Sequence, residues 1–124
     1  ERVTLENYAR SADYDAHIRF FGTPENALAN LIGCLLMRGE DVVCEANAVR
    51  LLPDLMEVGV ATADDFQGRG YATLTCARVI QTCEAAGFAT YWNCNAQNLP
   101  SVALARKMGY RRERGYRLLA WEPQ

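Results

Sequence analysis

The sequence has little of what metal sites and disulfide frameworks are built from. Its single histidine, His17, lies in a polar N-terminal stretch, so a metal site made of imidazoles is not expected. The five cysteines are an odd number without a CxxC pair, which matches neither a disulfide framework nor a zinc site. Unpaired thiols indicate a reducing compartment, so we expect a cytoplasmic protein that carries no metal.

The sequence also lacks a strong charge bias and a long apolar run. Thirteen basic and fifteen acidic residues give a formal net charge of −2, so no overall field favours nucleic acid or an anionic membrane. No apolar stretch is long enough to span a bilayer. The 124 residues, 50% of them hydrophobic, fit one domain over residues 1–124. We therefore expect neither a nucleic-acid partner nor a membrane partner.

The order of predicted elements indicates helices packed on a mixed sheet. Residues 1–31 are predicted to be helical, with Thr23 as the N-cap of a helix that starts at Pro24. Next come two strands joined by a glycine-containing turn and a third strand, LMEVGVAT. The remaining predicted elements are a helix over 70–86, a strand at ATYWNC, a helix over 98–108, and one or two strands around Gly115. This order predicts the α+β class.

A glycine loop, DDFQGRGYAT, separates the third strand from the following helix. Gly68 and Gly70 let the backbone turn sharply and approach a ligand closely. Free amides in the first turn of the helix and the helix dipole form an anion site, to which Arg69 adds positive charge. An ordinary strand-to-helix turn is the alternative. A Rossmann fingerprint would need a third glycine where Thr73 stands, and a Walker loop would need Gly-Lys-Ser/Thr.

Two segments of the chain resemble signatures of the GNAT N-acetyltransferases. QGRGYA, residues 67–72, resembles the pyrophosphate-binding motif Q/R-x-x-G-x-G/A of that family. NLPSVALARKMGY, residues 98–110, is similar to the second signature, in which an asparagine opens a helix that ends in Gly-Phe or Gly-Tyr. The resemblance covers about residues 34–121, and residues 33–121 are expected to form the CoA-binding core. YWNCNAQNLPSVALARKMGY also resembles the branch that includes zwittermicin-type self-resistance acetyltransferases.

The resemblance implies a fold from which an N-terminal strand and helix are missing. Typical members carry these two elements ahead of the part that is recognisable here. The chain starts without methionine or a secretory signal, which indicates a trimmed chain or a piece of a longer protein. If those elements are absent from the native protein, an additional N-terminal domain or a second subunit of a homodimer would complete the acceptor pocket.

The resemblance further implies acetyl-CoA as donor and a primary amine of a small molecule as acceptor. The strand LMEVGVAT is expected to splay from TYWNC and to hold the pantetheine arm in the gap, with Gly59 marking a bulge or a close backbone approach. The pyrophosphate is expected at the glycine loop. The residues expected to bind CoA are Val58, Val60, Thr62, Gln67, Gly68, Arg69, Gly70, Tyr71, Ala72, Asn98 and Ser101.

Direct transfer needs an uncharged amine and a polarised carbonyl. An amine with a pKa near ~10.4 is free base in about one molecule per ~10³ at neutral pH, so a base helps. Glu57 is the first candidate, because some GNAT enzymes place a catalytic glutamate in this strand, and Glu45 is the second. For each, a solvated or ion-paired strand carboxylate is the alternative. A strand N–H near Val58 or Val60 would polarise the carbonyl.

The general acid is where the sequence departs from the family. Many members have a tyrosine four residues before the glycine that ends the helix, and that position, counted from Gly109, is Ala105. The preferred alternative is that the thiolate leaves without a dedicated general acid, since thiol pKa values lie near ~8.5. The Ser101 hydroxyl would help this departure. The side chains that could replace the missing acid are those of Tyr110, Tyr116, Ser101 and Cys94.

Several of these residues have a plain structural explanation as well. Asn98 is expected to cap its helix, to contact the CoA arm, or both. Cys94 is expected to be a buried core thiol rather than a nucleophile. A basic cluster is expected either to form a solvated strand face or to bind the adenosine 3′-phosphate or an acidic acceptor; it comprises Arg111, Arg112, Arg114 and Arg117. The competing functions are a CoA-binding module without turnover and an acetyltransferase of a protein amine.

Overall fold

The computed structural model describes residues 1–111 and 114–117. Within these ranges lie four α-helices, a four-stranded sheet, and two short 3-10 turns at residues 8–10 and 64–66. In chain order the main elements are α1 (Tyr14–Phe21), α2 (Pro24–Asn30), β1 (Leu31–Arg38), β2 (Asp41–Leu52), β3 (Leu55–Thr62), α3 (Tyr71–Ala85), β4 (Ala89–Trp92) and α4 (Leu99–Lys107).

The strands lie in the order β1-β2-β3-β4. The first three are antiparallel neighbours joined by tight connections, whereas β4 is parallel to β3. A parallel pair needs a crossover connection, and α3 provides it. The predicted α+β class, with a mixed and mostly antiparallel sheet flanked by helices, is confirmed.

Helices pack on both faces of the sheet. Neighbouring residues of a strand point to opposite faces, so Ala48 and Val49 of β2 belong to different clusters. The α3 side of the sheet holds Ala46, Ala48, Met56, Val58, Cys76, Val79 and Cys83, all buried. The other side holds Tyr8, Ala27 and Leu31, with Val49, Ile18 and Phe21 packed against them. The sheet is therefore the middle layer, with the α3 cluster on one face and the α1–α2 cluster on the other.

The helix ends follow local sequence rules. The Thr23 hydroxyl accepts the Asn26 amide at 3.2 Å and Pro24 occupies the first turn, as the sequence predicts. Helix α4 ends where Gly109 adopts φ 98°, a left-handed conformation that suits glycine, and the Tyr110 amide donates to the Ala105 carbonyl at 3.0 Å. These caps fix the start of α2 and the end of α4.

Residues 1–3 lie along the outer edge of β1, where the sequence analysis placed no strand. The Val3 amide donates to the Gly33 carbonyl at 2.8 Å, and the Leu35 amide donates to the Glu1 carbonyl at 2.7 Å. Gly33 permits this approach, because a Cβ there would stand 2.7 Å from Val3 Cγ2. The close backbone contact in this sheet therefore belongs to Gly33.

The prediction of a bulge or close approach at Gly59 is wrong. The β2–β3 register runs unbroken through the pair Asn47 and Gly59, and a Cβ at Gly59 would meet Asn47 Oδ1 only at an ordinary 3.7 Å. The irregularity of this ladder lies instead between Arg50 and Leu52, next to the β2–β3 turn.

The predicted C-terminal strands lie partly outside the described residues, which omit 112–113 and 118–124. The described residues 114–117 belong to no strand. In the portion of the chain covered by the structure, no helix combines the length and apolar character needed to cross a membrane.

Candidate active site

The glycine loop adopts a backbone that its two glycines make accessible. Gly68 has φ 75° and Gly70 has φ 81°, both in the left-handed region that disfavours residues with a Cβ. Apart from the glycine itself and its immediate neighbours in the chain, no heavy atom lies within 4 Å of where a Cβ would stand at either position. The space around the two glycines is open, so a ligand can approach the main chain directly.

The main-chain amides that follow this turn have no acceptor in the described part of the chain. Among the described residues, no hydrogen bond is donated by the backbone N–H groups of residues 68–73. The first bond into the helix runs from the Leu74 amide to the Gly70 carbonyl at 3.2 Å. Unpaired donors at the positive end of the fifteen-residue helix α3 are what an anionic group binds.

Gln67 stabilises the loop from within. Its side-chain amide donates to the Thr62 carbonyl at 3.2 Å and to Asp64 Oδ1 at 3.3 Å. These bonds join the end of β3 to the start of the loop. Gln67 therefore positions the amides that follow it.

One edge of β3 is left open next to the loop. The parallel pairing with β4 ends at Val58 and Trp92, whereas β3 continues to Thr62. The Ala63 amide donates to the Val43 carbonyl of β2, whereas the Thr62 carbonyl points to the other edge and accepts Gln67. Because main-chain groups alternate in direction along an antiparallel strand, Val60 and the Thr62 amide also face that open edge. About 13 Å of strand edge is thus available between Val58 and the loop.

The two candidate bases share a sheet face but lie apart. Glu57 stands opposite Val49, and Glu45 stands opposite Ala61, four residues further along β3. At about 3.3 Å per residue this separates them by about 13 Å, so they cannot act on one carbonyl together. Glu57 is half-buried one residue before the open edge begins. Glu57 thus lies closer than Glu45 to the point where the β3–β4 pairing ends.

Glu45 is engaged in the fold. It is 4% exposed, and the Ala12 amide donates to its Oε1 at 3.0 Å and to its Oε2 at 3.1 Å. Burial raises the pKa of this carboxyl, and the Ala12 bond opposes the rise. Glu45 therefore ties the segment ahead of α1 to β2, a structural role.

Ser101 and Asn98 lie in the first turn of α4. The Asn98 side chain accepts the Ser101 amide at 3.3 Å, which confirms its capping role. The Ser101 hydroxyl accepts a bond from Trp92 Nε1 at 3.1 Å. One oxygen lone pair is thus occupied, and the hydroxyl proton is left to donate elsewhere.

The other candidates for the general acid are placed less favourably. The Tyr110 hydroxyl bonds to Thr90 Oγ1 at 2.5 Å, and burial raises the pKa of Tyr110. The exposed Tyr116 hydroxyl donates to the Asn93 side chain.

Cys94 is only half-buried, so the prediction of a buried core thiol is wrong for it; Cys44, Cys76 and Cys83 occupy that environment. All five cysteines are free.

The basic cluster is described in part. Arg111, Arg114 and Arg117 are exposed, and Arg112 lies outside the described residues. Their expected contacts with the adenosine 3′-phosphate or an acidic acceptor stay predictions.

Sequence reasoning missed a polar cluster under α1. Tyr8 is 1% exposed and bonds to His17 Nδ1 at 2.8 Å, and burial raises the pKa of Tyr8 to about 12. The Asn47 side chain donates to Asp13 Oδ2 at 3.1 Å. The Asn47 and Glu45 bonds join residues 34 and 33 positions apart, so no local motif signals them.

A family model described as GNAT acetyltransferase matches residues 2–119. The uncharacterized N-acetyltransferase YdfB of Bacillus subtilis (strain 168) is 30% identical over 79 residues, which are 64% of this chain and 30% of that protein. This chain thus spans less than a third of the length of that curated relative.

Solved structures of similar fold include two acetyltransferase-type proteins. A GCN5-related N-acetyltransferase-like protein from Streptococcus suis 89/1591 superposes with a TM-score of 0.77 at 25% identity, covering 89% of this chain and 45% of that one. Aminoglycoside N-acetyltransferase AAC(6')-Iy, solved in complex with CoA, has a TM-score of 0.72 at 13% identity, covering 100% and 98%. The match of the family model over nearly the whole chain shows that this protein belongs to the GNAT acetyltransferases.

Proposed function

We propose that this chain is an N-acetyltransferase that transfers the acetyl group of acetyl-CoA directly to a primary amine of a small molecule. The observation that carries the proposal is that two backbone surfaces with unused hydrogen-bonding groups lie close along the chain. The amides of residues 68–73, unpaired among the described residues, are separated from the open β3 edge at Val60 and the Thr62 amide by one short 3-10 turn. A diphosphate joined to an extended diamide chain has the chemistry to match both.

The residues of the loop and strand take distinct roles in this proposal. The amides of Gly68 to Ala72, with the Arg69 charge, bind the pyrophosphate, and Gln67 keeps their geometry. Val58, Val60 and Thr62 supply the edge on which the pantetheine amides pair. Asn98 and Ser101, at the start of α4, complete the contact with the arm.

The transfer step is assigned to Glu57 and the β3 backbone. The amine nitrogen forms a bond to the thioester carbon, the C–S bond breaks, and the amine proton passes to Glu57 directly or through water. An N–H of the open edge near Val60 polarises the carbonyl. The thiolate leaves unassisted or takes a proton from Ser101, because Tyr110 and Tyr116 are hydrogen-bonded elsewhere. Glu45 is left out of the step, since it binds Ala12.

The acceptor class rests on the nature of the relatives. AAC(6')-Iy is an aminoglycoside N-acetyltransferase of the same fold. Small polyamines, aminoglycosides and amino acids are therefore the acceptors to try first. The resemblance to the zwittermicin-type branch is a narrower prediction within the same class.

The surroundings of the enzyme are part of the proposal. We place it in a reducing, cytoplasmic compartment, as the five free cysteines suggest. A homodimer or an additional N-terminal domain that completes the acceptor pocket is a further part of the proposal.

A CoA-binding module without turnover is the competing function. It is favoured by Ala105, which occupies the position where many family members have a tyrosine. The Ala105 carbonyl accepts the Tyr110 amide at the end of α4. An acetyltransferase of a protein amine is a second variant of the proposal.

One experiment separates these functions. The protein is mixed with acetyl-CoA and a panel of polyamines, aminoglycosides, amino acids and a lysine peptide, and free CoA is followed while calorimetry measures CoA binding. Binding with amine-dependent CoA release is expected. Release on the peptide alone assigns a protein acceptor, binding without release on any amine assigns the module, and no binding overturns both.

A further inference from the structure

Two arginines from different elements converge on one aromatic ring beside the glycine loop. Phe66 ends the 3-10 turn that precedes Gln67. The guanidinium carbon of Arg69 lies 5.5 Å from the centroid of its ring, and that of Arg38 lies 5.9 Å from it. Arg38 is the last residue of β1, so the β1–β2 hairpin reaches the same place as the loop.

The ring itself is fixed to the start of α3. Phe66 is half-buried, and its centroid lies 6.3 Å from that of Tyr71, the first residue of the helix. A cation over an aromatic face is held by the ring quadrupole. Phe66 thus keeps two positive charges next to the unpaired amides of residues 68–73.

Within the part of the chain that the structure describes, neither Arg38 nor Arg69 forms an ion pair. In residues 1–111 and 114–117, the salt bridge found is that of Arg10 with Glu40, at 2.9 Å. Arg10 also donates to the Glu40 carbonyl at 2.8 Å, so this hairpin glutamate is paired with Arg10 through both its backbone and its side chain. The acidic residues close to the two arginines in sequence, Asp41, Asp64 and Asp65, form no ion pair with Arg38 or Arg69.

We infer that Arg38 is a further phosphate-binding residue, which together with Arg69 forms a guanidinium pair on Phe66 for the phosphate groups at the nucleotide end of CoA. This inference rests on the proposed function and adds a residue from outside the loop motif. Guanidinium groups suit phosphate because their N–H groups match two phosphate oxygens at once. Both arginines contact the same ring, and a phosphate that bridges two like charges offsets the repulsion between them.

The chain offers a matched control at the other end of the sheet. Arg50 is an exposed strand arginine whose guanidinium carbon lies 4.9 Å from the Phe88 ring centroid. Replacing Arg50 by methionine removes the same charge and the same kind of aromatic contact as replacing Arg38. It does so near the β2–β3 turn, away from the glycine loop.

The test is calorimetric titration of the wild type, Arg38→Met and Arg50→Met with CoA and with 3′-dephospho-CoA. We expect Arg38→Met to weaken CoA binding about tenfold at low salt and Arg50→Met less than about twofold. Added salt should shrink the Arg38→Met effect, since both guanidiniums are exposed. Arg38→Lys keeps the charge but not the fork, and should lose about threefold.

The two nucleotides distinguish which phosphate is bound. An Arg38→Met loss seen with CoA but not with 3′-dephospho-CoA assigns the 3′-phosphate, and equal losses assign the pyrophosphate. Equal CoA affinity of folded Arg38→Met and Arg50→Met overturns the inference. If Arg38→Met does not fold, undiminished affinity in Arg38→Lys at low salt together with salt-independent wild-type binding overturns it instead. Failure of the wild type to bind CoA would remove the proposed function itself.

Discussion

Trp92 Nε1 donates a hydrogen bond to the Ser101 hydroxyl at 3.1 Å, and this bond joins β4 to the first turn of α4. Both residues lie in YWNCNAQNLPSVALARKMGY, the segment that resembles the zwittermicin-type branch, where Trp92 begins W-N-C and Ser101 ends N-L-P-S. The two residues, nine positions apart in sequence, are therefore in contact in the folded protein. The bond occupies one lone pair of the Ser101 oxygen and leaves the hydroxyl proton to donate to another group.

Ser101→Ala should lower the free energy of unfolding by about 1 kcal/mol, because the half-buried indole N–H loses its acceptor. A double-mutant cycle with Trp92→Phe should give a coupling energy of about 1 kcal/mol, measured by urea unfolding. Thr82→Ala is the control, since the Thr82 hydroxyl bonds only within its own helix, to the Arg78 carbonyl. A coupling of Ser101 with Trp92 no larger than that of Thr82 would contradict the role of this bond.

Gly70→Asp should reduce CoA affinity at least about a hundredfold, because it sets a negative charge among the donors that bind phosphate. Gly22→Asp is the control. Gly22 has φ 85° and open surroundings like Gly70, but it ends α1. Both variants carry similar backbone strain, so comparable CoA affinities in calorimetry would show that the loop does not bind phosphate.

Glu57→Gln should lower the acetyl-transfer rate at neutral pH by about a hundredfold and leave the CoA dissociation constant unchanged. The deficit should shrink as pH rises towards the pKa of the acceptor amine, since free amine then needs no base. Initial rates and calorimetry across pH provide the measurement. A deficit that is constant across pH would assign Glu57 to acceptor binding, and equal rates would remove it from the mechanism.

Glu45→Gln should change how stability depends on pH. Burial raises the pKa of Glu45 in the folded state, so its contribution is fully present below the ordinary value of 4.5 and is lost as pH rises through the folded pKa. Glutamine does not ionise. The free energy of unfolding of Glu45→Gln minus that of the wild type should therefore increase with pH above about 4.5 and then level off.

Urea unfolding between about pH 4 and pH 8 measures this difference. The pKa of the neighbouring Tyr8 is raised to about 12, outside that range. Glu40→Gln, at a 96% exposed side chain, gives the effect of the same substitution at the surface. A difference for Glu45 that falls with pH would show that the ionised carboxylate is favoured by the fold.

Local rules were enough for the helices, the hairpin and the loop. Thr23 and Pro24 start α2, Asn98 caps α4, and Gly68 and Gly70 take the left-handed conformation that a sharp turn requires. Each of these depends on residues within about four positions of each other. Interactions between residues this close in sequence can be predicted from the residue types and their spacing.

Contacts between distant segments were beyond those rules. The reading of Gly59 failed because a glycine within a strand has several explanations, and Gly33 is the one against which another segment packs. The structural role of Glu45 depends on Ala12, 33 residues away. Arg38 reaches Phe66 because β1 ends beside the loop, 28 residues away in sequence.

The short ladder between β3 and β4, four residues on each strand, has a consequence for the protein without its donor. The segment formed by β4 and α4 is therefore joined to the rest of the sheet by a ladder of only four residue pairs. In the proposed function, acetyl-CoA prolongs that ladder and so serves as a detachable part of the architecture. Loading the enzyme with its donor should therefore slow amide hydrogen exchange at Val60 and Thr62 and leave the β1–β2 ladder almost unaffected.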